Sequence, residues 1–182
     1  NLRRSMLTLQ EVMKEIEEKG GLTPAKKIRE TAERFPDMVA MREKNFGIWE
    51  ETTYSEYWEQ AQWVGCALNY FGIDTQDSVA IHSENRPEWF IADVGIQAIG
   101  AISVGLYPTN PPSEVEYLIG HSESKILFAE DQEQVDKALE VLEQLPDLKK
   151  IIYFEPRGLT TYDSPLLMTW EEFLEIGKEE FQ

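Results

Sequence analysis

Three short stretches carry residue types that could do chemistry: His82-Ser83-Glu84-Asn85, Tyr107-Pro108-Thr109-Asn110 and Glu130-Asp131. They offer one imidazole, hydroxyls, amides and carboxylates, the groups that move protons, hold cations or orient a ligand. Each follows an apolar run that reads as a strand, and an open parallel sheet binds ligands beyond the carboxyl ends of its strands. A plainer use competes with that one and is favoured: Asn85 or Ser83 caps the helix that opens at Pro87, while Thr109 and Asn110 shape a proline-rich turn. Arg86 and Glu88 beside Trp89 likewise read as local support, since an early Glu suits a helix N-terminus and Arg pairs locally or stacks on a ring.

Other chemistries lack their parts. His82 and His121 are far apart, each without a second histidine or cysteine at metal-ligand spacing. Cys66 is the only cysteine, which excludes an internal disulfide, and its helical surroundings suggest a small buried apolar residue rather than a reactive thiol. Gly95, Gly100 and Gly105 recur every five residues, which matches neither the dinucleotide fingerprint nor the Walker pattern. Helix-sheet packing and a helix stop account for them better than phosphate binding. No Gly-x-Ser-x-Gly elbow is present. From the residues alone, no catalytic, cofactor-binding or metal position is assigned.

The elements that would position these groups follow from periodicity. Leu9, Val12, Met13 and Ile16 predict a helix in the first 20 residues, stopped at Gly20-Gly21. Thr23-Pro24 opens a second helix through Ile28 and Ala32 that ends before Pro36. Met38 to Arg42 and Ile48 to Thr52 predict a small hairpin with a turn of several residues around Asn45 and Gly47. Thr53 to Glu56 matches the capping box of a helix that stops at Gly72. Strands at Ser78–His82, Ala101–Leu106, Lys125–Ala129 and Lys150–Phe154 then alternate with helices at Pro87–Ile99, Ser113–Ile119 and Gln132–Leu145. Such alternation, with strands apolar on both faces, predicts an α/β fold: a parallel sheet covered by helices, with the small N-terminal β-hairpin set before it. A loop follows Glu155, and Thr169-Trp170-Glu171-Glu172 begins a last acidic helix.

Composition narrows the partners. At 182 residues, 42% hydrophobic and 28% charged, one globular unit with a sizeable core is expected. Seventeen Lys+Arg against 34 Asp+Glu leave a net charge of −17, which repels nucleic acid and anionic membranes. No secretory signal is visible and a cytoplasmic setting fits. The apolar run Phe90 to Leu106 is shorter than the roughly 20 residues a bilayer needs, and Asp93 within a span would cost about 3 kcal/mol. A buried helix turning into a buried strand is expected there, with no transmembrane segment.

The segment from Thr53 to Glu130 resembles the opening part of AMP-forming acyl-CoA synthetases, the adenylate-forming superfamily. Thr53-Tyr54-Ser55-Glu56-Tyr57 is similar to that family's first core motif, and Ala98 to Pro108 to its second. Asn85-Arg86-Pro87-Glu88-Trp89 and Tyr107-Pro108-Thr109-Asn110 look like the long-chain fatty acid-CoA ligase branch. The resemblance covers roughly residues 24 to 155. It implies that the chain forms part of the larger N-terminal domain of an adenylate-forming enzyme, with residues 1–182 as the N-terminal portion of its AMP-binding domain.

The resemblance further implies a parent enzyme that makes an acyl-adenylate from a fatty acid and ATP with magnesium, then passes the acyl group to coenzyme A. In the family the reacting anions are handled by a Ser/Thr/Gly-rich loop ending in Pro-Lys-Gly, a later acidic residue on the ribose and a lysine of a mobile C-terminal domain. None has a matching position between Asn1 and Gln182, so no family residue is carried over and the site list stays empty: catalytic, cofactor and metal, none. The expectation is an N-terminal fragment that is inactive alone, binds no cofactor by itself and leaves an exposed apolar edge, with a homodimer as a possible assembly. The competing reading is a complete, non-catalytic α/β module that binds a protein partner or an acyl ligand. A long-chain substrate would draw a ligase to the membrane periphery, yet the acidic surface offers no electrostatic anchor.

Overall fold

The computed structural model describes Glu18 and residues 21–182. The helix expected over the first 20 residues lies outside the described residues, Glu18 excepted. Helix α1 (Pro24–Arg34) starts as its sequence directs: Thr23 accepts from the Lys26 N–H and Pro24 takes the first helical position.

Strands β1 (Val39–Asn45) and β2 (Ile48–Thr53) form an antiparallel ribbon in which Asn45 pairs with Ile48. The turn is therefore two residues long, tighter than the sequence suggests. Phe46 and Gly47 have φ of 47° and 87°, the pair of left-handed conformations that a type I′ turn requires. Helix α2 (Tyr54–Tyr70) carries the expected capping box: Glu56 N–H donates to Thr53 Oγ1 at 3.2 Å, and the Glu56 carboxylate accepts from Thr53 N–H at 2.8 Å.

The parallel sheet contains β3 (Ser78–His82), β4 (Ile102–Leu106), β5 (Ile126–Ala129), β6 (Lys150–Tyr153) and β7 (Leu167–Thr169), in spatial order β4-β3-β5-β6-β7. Helices α3 (Pro87–Ala98), α4 (Pro112–Ser122), α5 (Gln132–Glu140) and α6 (Trp170–Glu180) complete the chain, with a 3-10 turn at Leu142–Gln144 after α5. The predicted helix to Leu145 thus breaks at Val141. Strand β7 falls in what the sequence presents as loop; three residues are too few for a period to show.

Alternate residues of the inner strands feed two cores. Val79, Ile81, Ile126, Phe128 and Ile152 face α2, α3 and α6, whereas Ala80, Leu127, Ala129 and Ile151 face α4 and α5. The result is three layers, helix on sheet on helix. Strand β4 departs from its expected double burial: it lies at the edge of the sheet, and Ile102 is exposed.

The first core is held by close helix crossings. A Cβ on Gly95 of α3 would lie 2.5 Å from Val64 Cγ1 and 2.8 Å from the Ala61 carbonyl oxygen of α2. This glycine serves helix-helix contact rather than the helix-sheet contact expected for it. Gly177 of α6 sits closer still, where a Cβ would stand 1.9 Å from the Trp63 carbonyl oxygen. Gly100, with φ of 77°, is the expected helix stop. Cys66 is half-buried rather than fully buried; burial raises its thiol pKa, with Glu180 adding to the shift.

Candidate functional site

The crossover after β3 runs through α3 on one face of the sheet, and the crossover after β5 runs through α5 on the other. Because β3 and β5 are neighbours, their following loops part company and leave a crevice between them. The topology therefore sets Ser83, Glu84, Glu130 and Asp131 around the switch point, joining two of the three stretches that the sequence singles out.

The crevice is closed by its own hydrogen bonds. Glu84 N–H donates to Glu130 Oε2 at 2.6 Å, and Ser83 Oγ lies 3.3 Å from the same oxygen. Ser83 Oγ also donates to the Glu84 carbonyl at 2.9 Å. Asp131 turns away from the crevice to accept from Glu133 N–H and cap α5. Neither Ser83 nor Asn85 caps α3: its N-cap is Arg86, with no side-chain cap bond. The partner of Ser83 and Glu84 lies 46 or more residues further along the chain, beyond the reach of local capping rules.

Arg86 forms the charged rim. Its Nε and Nη2 donate to both Glu88 carboxylate oxygens at 2.7 and 2.9 Å, and its guanidinium lies 5.4 Å from the Phe154 ring centre. Both supporting uses expected of Arg86 are thus realised at once. Burial alone would lower the arginine pKa, but the Glu88 pair, with Glu43 and Glu130 nearby, raises it instead. Glu43 is pushed up by burial and by the Glu88 charge. Glu155 is held down, chiefly by its bond to Arg157.

The third stretch is held from two sides. His82 is fully buried, and its Nε2 lies 3.1 Å from the Tyr107 carbonyl oxygen, which requires the N–H on Nε2. Its Nδ1 has no hydrogen-bond partner among the described residues. Burial, reinforced by the Lys137 charge, lowers the His82 pKa to about 4, so the ring is neutral at pH 7. Lys137 Nζ donates to the Pro108 carbonyl at 2.7 Å and pairs with Glu133. Asn110 N–H donates back to the Tyr107 carbonyl, and the Asn110 amide bonds Glu114, so the turn role of Asn110 is realised. Two donors from β3 and α5 thereby fix successive carbonyls of the strand-end turn. The sequence reveals Lys137 only as the i+4 partner of Glu133; its reach to Pro108 depends on the tertiary fold.

These contacts make a rigid frame. His82 is engaged at Tyr107 and does not contact Ser83 Oγ, whose neighbour is a carboxylate. His121 stacks on Tyr117 within its own helix. Among the described residues no group of three His, Cys, Asp or Glu converges to hold a metal ion. An open hollow lined by Ile119, Glu123, Gln144 and Leu148 lies near the amino ends of the strands, away from the crevice. No helix is long and apolar enough to cross a membrane among the described residues.

Residues 28–169 match the family model described as AMP-binding enzyme. A long-chain-fatty-acid-CoA ligase of Xenopus laevis is 35% identical over 151 residues, which is 83% of this chain and 20% of that protein. A Bos taurus long-chain-fatty-acid-CoA ligase is 32% identical over 149 residues, 82% of the chain and 20% of the relative. The chain spans about a fifth of the length of the curated relatives it matches. Among solved structures, acetoacetyl-CoA synthetase from Streptomyces lividans superposes with a TM-score of 0.73 at 21% identity, over 82% of this chain and 24% of that one. An anthranilate CoA ligase in complex with anthranoyl-AMP gives 0.67 at 23% identity, over 71% and 24%. At these identities the superpositions establish the fold.

Proposed function

The chain belongs to the AMP-binding enzyme family, and from that membership we propose that it is the N-terminal portion of the adenylation domain of a cytoplasmic long-chain fatty acid-CoA ligase. The parent enzyme joins a fatty acid carboxylate to the α-phosphate of ATP with magnesium, forming an acyl-adenylate and releasing pyrophosphate, and then transfers the acyl group to the thiol of coenzyme A, releasing AMP. The observation that carries this reading is the 35% identity to a long-chain-fatty-acid-CoA ligase over 83% of the chain.

The residues around the crevice do not fit a triphosphate, and among the described residues no group of three His, Cys, Asp or Glu converges to hold its metal. Glu84, Glu130 and Glu155 make the rim anionic, Arg86 is committed to Glu88, and Glu130 is already bonded to the facing loop. We therefore assign these residues a framing role: they hold the strand-end loops in place, and the groups that bind nucleotide and carry out the chemistry belong to other parts of the parent. Alone, the 182 residues are inactive.

Immunoprecipitation from source cells with an antibody against this segment tests the reading. The expected product has a mass several times 21.0 kDa and catalyses pyrophosphate exchange into ATP that depends on a long-chain fatty acid and magnesium. A large product without such exchange overturns the ligase assignment. A 21.0 kDa product overturns the assignment as a portion of a longer enzyme.

A further inference from the structure

His82 is a destabilising choice where it stands. The ring is fully buried, its Nδ1 has no hydrogen-bond partner among the described residues, and an enclosed polar atom left unpaired weakens a fold. Its other nitrogen, Nε2, donates to the Tyr107 carbonyl at 3.1 Å, yet that carbonyl already accepts from Asn110 N–H at 2.9 Å. A leucine of similar volume would enclose no polar nitrogen and would leave the Tyr107 carbonyl its Asn110 donor. Stability therefore does not account for an imidazole at the end of β3.

What the second donor adds is an angle. The turn from Tyr107 to Asn110 is stiff in itself, because Pro108, Pro111 and Pro112 restrict φ and the Asn110 N–H closes it. Such internal restraints keep its shape without fixing its tilt against the sheet, and β4, from which the turn grows, is paired only with β3 among the described residues. His82 is the last residue of β3 and stands opposite Leu106, so its bond to Tyr107 extends the tie between the two strands one residue past their ladder. Lys137 of α5 fixes the next carbonyl, that of Pro108, at 2.7 Å. Both grips are internal to the chain: His82 is fully buried and the Lys137 side chain is only 15% exposed. They sit at the carboxyl ends of the strands, the side on which open parallel sheets meet their ligands.

We propose that His82 is a positioning residue for the parent's reaction: acting through the Tyr107 carbonyl, it holds the Tyr107–Asn110 turn at the tilt that the assembled active site requires. A buried polar group that stability does not call for is what a supporting shell of a reaction site contains, since such a shell is selected for geometry. The inference rests on the ligase reading given above.

The test compares the full-length parent with its His82→Leu and His82→Gln variants, by melting temperature and by pyrophosphate exchange dependent on a long-chain fatty acid. Leucine removes the donor, whereas the glutamine amide restores one near the position of Nε2. His82→Leu is expected to melt at the wild-type temperature or above it while kcat falls roughly tenfold, with KM for ATP and fatty acid within about twofold of wild type. His82→Gln is expected to recover most of the rate. A His82→Leu enzyme as fast as wild type overturns the proposal, and so does one whose melting temperature falls along with its rate, which is the mark of a merely structural residue. A His82→Gln enzyme as slow as His82→Leu overturns it too, because the restored donor would then be irrelevant. A wild-type parent without exchange fails the ligase reading and this inference with it; an active wild type matched by His82→Leu fails this inference alone.

Discussion

His82 shows how a potentially reactive side chain is withdrawn from chemistry. One ring nitrogen holds the Tyr107 carbonyl, the other is enclosed without a partner among the described residues, and the charged ring would have to sit in a desolvated space beside Lys137. The folded-state pKa of about 4 lies below the unfolded value near 6.5, so the unfolded chain takes up the proton first as pH falls. The resulting stability is complete above about pH 6.5 and is lost as pH falls toward 4. Between pH 7 and 5 that amounts to about 2 kcal/mol. Urea titrations at the two pH values should show this loss, and His82→Gln should flatten it; an unchanged slope would separate His82 from the acid sensitivity. The residues themselves were legible from strand-end position, as were the caps at Thr23 and Thr53. What Ser83, Glu84 and Lys137 bind was not, because each partner depends on tertiary folding rather than local spacing.

Among elements, the tightest demand falls on the crossing of α2 and α6. The expected Gly177→Ala effect is a loss of about 3 kcal/mol or more in thermal or urea unfolding, because the new methyl meets the Trp63 backbone, which no rotamer change can relieve. Gly105→Ala is the matched control, since its methyl meets Trp89 at an ordinary 3.7 Å. Equal stability of the two variants would mean that α6 rides loosely on α2. The helix-strand alternation from Ser78 to Tyr153 was readable because apolar runs and caps agree with each other there. Strand β7 was not, since Leu167–Thr169 gains its identity only by pairing with Ile151 to Tyr153. The edge position of β4 was equally hidden: Ile102, Val104 and Leu106 form an apolar run that looks fully buried, and strand order is a long-range property.

At the scale of the whole chain, β4 leaves one side of the parallel sheet unpaired among the described residues, with Ile102 49% exposed on it. An open edge of this kind invites a second strand. The 182-residue chain should therefore self-associate with rising concentration in sedimentation velocity, and Ile102→Lys should weaken that association. Indifference to the lysine would place any association elsewhere.

The aromatic contacts set an order of assembly. Phe128 in β5 packs against Phe154, Trp170 and Phe173, the last two contributed by α6. During synthesis, β3 and β5 leave the ribosome before α6, so the face of their sheet that α6 covers remains wet until α6 follows. The last helix is the closing piece of the first core, and until it arrives Phe128 is the place where a chaperone would find this chain unfinished.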